Sequence, residues 1–183
     1  MNPGELLNTI NGLPAHPLLV HAVVVLIPLS AIGAVLISVV PAWRRRYWLP
    51  VLALTVVAVA AVPLAKEAGE RLFARLGSPN DPVLRRHTEL GDHLLPYALV
   101  FAALLILLLV FGRLADRAWV AAVEMAQQEP DIIDIAPSPP RLWRVITVLV
   151  SLLLIASAAV VTYQVYLTGD SGSSSVWSDV GRG

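Results

Sequence analysis

Apolar positions in this chain fall into four long stretches, and polar segments between them hold most of the charge. The stretches run from about Pro17 to Val40, Tyr47 to Leu64, Leu94 to Phe111 and Leu142 to Leu167. A helix that crosses a bilayer needs about 20 predominantly apolar residues. None of the four contains Asp, Glu or Lys, and Arg144 stands at the end of the last. The pattern predicts an all-α fold, a four-helix transmembrane bundle. Two faces are marked for close packing. Ser30, Ala34 and Ser38 follow at i, i+4 and i+8 in the first span, and Thr147, Ser151, Ala158 and Thr162 share a face of the fourth. Small residues in such stripes let helices approach closely in lipid.

The polar connections carry their own signals. Residues 65–93 read as an extramembrane helical hairpin between the second and third helices. Ala65 to Leu76 is rich in good helix formers, Gly77 reads as a stop, and Ser78-Pro79-Asn80 as a turn. Asp81-Pro82 then opens the next helix as cap and first helical residue. A turn near Pro79 sets His87 level with Glu70–Arg71 and His93 level with Ala65–Glu67. Helix is expected to continue through Arg113–Gln128, before a proline-rich linker over 129–141. The Gly/Ser-rich segment 168–183 is expected to be a flexible, exposed tail. At the other end, Asn2-Pro3 predicts a small helix and Asn11-Gly12 a turn, and Pro17 is expected to hold His16 extended. No basic segment followed by an apolar one precedes residue 17, so no cleaved signal peptide is expected.

Composition agrees with the pattern. Of 183 residues, 57% are hydrophobic and 14% charged, against about 45–50% and 25% in soluble domains. Thirteen basic residues balance thirteen acidic ones, which gives no reason to expect a nucleic-acid partner. The chain has no cysteine, which excludes disulfides, thiolate nucleophiles and cysteine-ligated clusters. No internal repeat is evident. Lys and Arg flanking the spans divide almost evenly between the two sides, but Arg44, Arg45 and Arg46 form a tight run between Trp43 and Tyr47. That cluster predicts a cytoplasmic first loop and both termini extracytoplasmic, in a multi-pass protein of the cell membrane.

Parity then concentrates the chemistry. With four spans, the N-terminal segment, the hairpin and the C-terminal tail share one side. His16, His21, His87 and His93 all gather there with Glu67, Glu70, Asp92 and Asp170. Neutral imidazole is the form that ligates a metal. A haem would take two facing histidines, and His21 with His93 is the pair expected. A mononuclear transition metal would take three or four ligands, expected from His16, His21, Glu70 and His87. Neither pair of neighbouring histidines has helical ligand spacing. The competing reading has the histidines capping helices and fastening the hairpin to the first span. The membrane interior carries no Asp, Glu, Lys or Arg, which argues against an ion-coupled pump. Gly169-Asp170-Ser171-Gly172 looks like the nucleophile segment of trypsin-like proteases, but nothing else of that fold is present.

Leu13-Pro14-Ala15-His16-Pro17-Leu18-Leu19-Val20-His21 resembles the signature of the bacterial membrane proteins grouped as domain of unknown function 2231. Ala68-Gly69-Glu70, His87-Thr88-Glu89-Leu90-Gly91, and Gly169-Asp170-Ser171-Gly172 with Val176-Trp177 support it. The resemblance implies a four-helix protein of the bacterial inner membrane and brings no established activity. Some members resemble partners of Rieske-type iron–sulfur proteins, which implies a redox setting. The expectation is therefore a membrane protein with a His/Glu metal or haem b site at its extracytoplasmic face, in electron transfer, with the lipid bilayer and another membrane or redox protein as partners. The alternative is a structural or partner-binding membrane subunit without cofactor. No stand-alone enzymatic activity is assigned.

Overall fold

The computed structural model describes residues 8–10, 12–77, 80–128 and 141–177. Four helices account for most of them: α1 (Ala15–Val39), α2 (Pro41–Arg75), α3 (Pro82–Gln128) and α4 (Arg141–Trp177). All four are long and apolar enough to cross a membrane. A short antiparallel pairing of β1 (Thr9–Ile10) with β2 (Leu13–Pro14) precedes α1. Gly12 turns between them with φ +82°, a conformation that suits glycine.

Several boundaries differ from the sequence reading. The first helix starts at Ala15, so His16 is helical rather than extended. Pro17 falls in the first turn, where a missing N–H leaves no helical bond unmade. Pro50, Pro63 and Pro96 likewise lie inside helices. The fourth helix runs ten residues past Leu167, through the segment read as a tail, to Trp177. Asp81 caps α3 as expected, its Oδ1 accepting from the Val83 amide at 2.8 Å. The turn at Ser78-Pro79, the linker over 129–140 and the small helix at Asn2-Pro3 lie outside the described residues.

The helices pack as a ring in chain order, α1 on α2, α2 on α3, α3 on α4 and α4 on α1. That leaves α1 and α3 facing across a diagonal. Each helix buries one stripe: Ile27, Ser30, Ala34 and Ile37 from α1, Thr55, Ala58, Val62 and Ala65 from α2, Phe101, Leu105 and Leu108 from α3, and Leu154, Ala158, Val161 and Val165 from α4. In lipid no hydrophobic force drives these stripes together, so close packing and interhelical hydrogen bonds must hold them. Small residues on α1 and α2 supply the first, and the buried bond between Ser30 Oγ and Thr55 Oγ1, 2.6 Å, the second. On α4 the buried line is Val150, Leu154, Ala158, Val161 and Val165, with Thr147, Ser151 and Thr162 half-buried beside it. Outward positions such as Val25, Val56 and Leu152 are large, apolar and exposed, as a lipid-facing surface requires.

Candidate functional site

α1 opens on Ala15-His16-Pro17. His16 Nδ1–H donates to the Ala65 carbonyl of α2 at 2.8 Å. One turn further along α2, Gly69 lies so close to the ring that a Cβ there would stand 2.8 Å from His16 Cε1. His87 on α3 repeats this arrangement on α4. Its Nδ1 lies 3.0 Å from the Thr168 carbonyl and 3.2 Å from Ser171 Oγ. One turn on, a Cβ at Gly172 would stand 3.0 Å from His87 Cε1. Each helical hairpin thus uses one device: a histidine from its first helix bonds a carbonyl of its second and rests on the glycine four residues later. The two rings meet edge to face, with centres 6.2 Å apart.

This geometry fixes the proton. A carbonyl only accepts, so each Nδ1 carries the hydrogen, and in a neutral ring each Nε2 holds a lone pair. No described residue hydrogen-bonds either Nε2. Among the described residues no buried side-chain nitrogen or oxygen lacks a partner, so both Nε2 atoms keep accessible surface, and both rings border one space. That space is a cavity of about 230 Å³, bounded mainly by α2 and α3, with Val62, Phe73, Leu84 and Leu94 among its apolar walls. Lys66, Glu70 and Asp92 also line it, Lys66 lying 3.0 Å from Asp92 and 3.8 Å from Glu70. Burial pushes the His87 imidazolium below its usual 6.5; the Thr168 bond opposes the shift and the nearby His16 adds to it. Neutral His87 is the favoured form at neutral pH. Gln164, buried on α4, donates to the Leu90 carbonyl at 2.8 Å and ties α4 to α3 beside the site.

The expected ligand sets are rearranged. His21 and His93 are exposed, and each Nδ1–H donates back to its own helix, to Pro17 at 2.6 Å and Glu89 at 2.7 Å. Neither lines the cavity. The structure therefore pairs His16 with His87, across the diagonal, and not His21 with His93. The four-residue set of His16, His21, Glu70 and His87 is not assembled: His21 lies outside and Glu70 faces Lys66. Among the described residues no three of His, Asp and Glu gather as a metal-ligand group.

Sequence reasoning missed Ala65, Gly69, Thr168, Ser171 and Gly172 as parts of the site. The signal lay in Ala68-Gly69-Glu70 and Gly169-Asp170-Ser171-Gly172, whose glycines seat the two rings. The second string, similar to a protease segment, is one turn of α4 facing an imidazole. Searches of curated proteins and of solved structures find no match. The family model described as "Predicted membrane protein (DUF2231)" matches residues 12–182, and the chain belongs to that family.

Proposed function

We propose that this membrane protein holds a metal between His16 and His87, and that the metal is haem iron serving electron transfer. The carrying observation is the pair itself: two imidazoles 6.2 Å apart between centres, each pinned through Nδ1, each with an accessible Nε2, and both lining one cavity. A metal bound here would be held by His16 and His87 through their Nε2 atoms. A backbone carbonyl on the other ring nitrogen is the usual outer contact of a ligating histidine, because it fixes tautomer and orientation.

Ligand count selects among metals. A metal held by side chains alone takes three or four donors; among the described residues no three gather as such a group, and Glu70 and Asp92, which also line the cavity, pair with Lys66. Haem iron needs only two axial ligands from protein. When bound, haem supplies one-electron chemistry. The chain's own residues would hold the group: the Ala65 and Thr168 carbonyls orient the two imidazoles, and Val62, Phe73, Leu84 and Leu94 supply apolar walls. At about 230 Å³ the cavity is smaller than the roughly 300–1,000 Å³ of ordinary organic-ligand pockets. Loading a macrocycle therefore requires α2 and α3, the least extensively packed neighbours in the ring, to move apart.

The same reading places the protein in the bacterial inner membrane, with the histidine face and both termini extracytoplasmic and a redox partner docking there. The Arg44–Arg46 run at the opposite end supports that orientation. Haem extraction and metal analysis of the purified protein test the proposal. Stoichiometric haem supports it. Absence of both haem and metal would return the protein to the structural-subunit reading, with histidines that only pack.

A further inference from the structure

At the end of the bundle away from the histidines, Arg44 lies in the first turns of α2 and is only 7% exposed. Its guanidinium rests against Gly112 of α3, where a Cβ would come within 2.5 Å of Nε. No described residue hydrogen-bonds this group, and no buried side-chain nitrogen among the described residues lacks a partner. Its N–H groups therefore open into the small pocket they line, of about 130 Å³, beside Arg45, Arg113, Trp48 and Asp116. Arg113 lies over the Trp48 ring at 4.1 Å, which fixes its plane. Asp116 is the single carboxylate in the pocket, and it reaches Arg45 at 3.4 Å. Three guanidinium groups thus share one carboxylate, and the most buried of them has no hydrogen-bond acceptor among the described residues.

We infer that this pocket binds the phosphate of an anionic phospholipid headgroup. The guanidinium fork matches phosphate oxygens in pairs. The pocket is well below the roughly 300–1,000 Å³ that encloses an organic ligand, so its occupant inserts a small charged group and leaves its bulk outside. Trp43 and Tyr47, exposed at the same level of α2, mark headgroup depth, where phosphodiesters are the abundant anions. A headgroup that carries its own cation, such as choline, would bring positive charge against the arginines.

Native mass spectrometry of the protein in neutral detergent, titrated with phosphatidylglycerol or phosphatidylcholine, tests this. Wild type is expected to retain phosphatidylglycerol in preference, and Arg44→Gln to weaken that retention about tenfold, the loss of charge-assisted hydrogen bonds. Gly112→Ala leaves every charge in place but removes the seat of Arg44, and is expected to lose the preference too. Arg86→Gln, on the opposite face, is expected to change nothing. Equal retention of the two lipids, or unchanged phosphatidylglycerol affinity in both Arg44→Gln and Gly112→Ala, would overturn the inference. So would inorganic phosphate binding as tightly as the lipid and displacing it at matched ionic strength, which would assign the pocket to a soluble anion.

Discussion

The imidazoles of His16 and His87 meet across the bundle diagonal, ring centres 6.2 Å apart and planes at 78°. They come from helices that share little other contact. Each is held by the neighbouring helix of its own hairpin, so the pair depends on two seats and not on direct packing of α1 with α3.

The seats are glycines, and they set the first prediction. Gly69→Ala drives a methyl group to 2.8 Å from the His16 ring, and overpacking of this kind costs about 1–3 kcal/mol. Gly172→Ala brings one to 3.0 Å from His87, which a small ring shift relieves, so a smaller cost is expected. Gly91→Ala, on α3 along the same cavity, meets nothing within 4 Å. It is expected to be neutral or to stabilise by about 0.5–1 kcal/mol, the helix preference for alanine. Thermal unfolding of the three variants in detergent checks the order.

His87 gives a pH dependence. Burial depresses its pKa below 6.5, so the unfolded chain takes up a proton at a higher pH than the folded one does. The stability present above about pH 6.5 is then lost as pH falls from there toward the depressed value. Denaturation midpoints of the haem-free protein between pH 8 and 5 are expected to drop on acidification, and His87→Gln is expected to flatten the slope. An equal slope in that variant would assign the effect to other groups.

The Ser30–Thr55 bond is the buried polar tie between α1 and α2. Thr55 Oγ1 donates to the Val51 carbonyl at 2.8 Å, so Ser30 supplies the proton between the two hydroxyls. Ser30→Ala removes one donor and leaves Thr55 satisfied. The expected cost is about 0.6 kcal/mol, the average for interhelical bonds in membranes. By contrast, the Lys66–Asp92 pair is half-exposed on both sides, and Asp92→Asn is expected to cost less than about 1 kcal/mol.

The spans were readable because apolar length alone identifies them, and the cap at Asp81 because its chemistry is local. The gathering of histidines on one side followed from parity. Their partners did not. His16 continues the buried stripe of Val23, Ile27 and Ala34 at helical spacing once α1 starts at Ala15, whereas His21 lies on another face. His87 needed a fourth helix that continues past Leu167, and the Gly/Ser-rich composition of that stretch argued against one. Thr168 and Ser171 receive the imidazole there, and packing against α3 outweighs the weak local propensity. Gly69 and Gly172 carry no chemistry of their own, so only the contact of ring on backbone shows their role.

Haem held by His16 and His87 is read in the reduced-minus-oxidised absorption spectrum of the purified protein beside four single variants. Soret and α bands are expected in wild type, lost in His16→Ala and in His87→Ala and retained in His21→Ala and His93→Ala. No Soret band in wild type with no stoichiometric metal, or bands that survive both the His16 and His87 substitutions, would contradict this assignment.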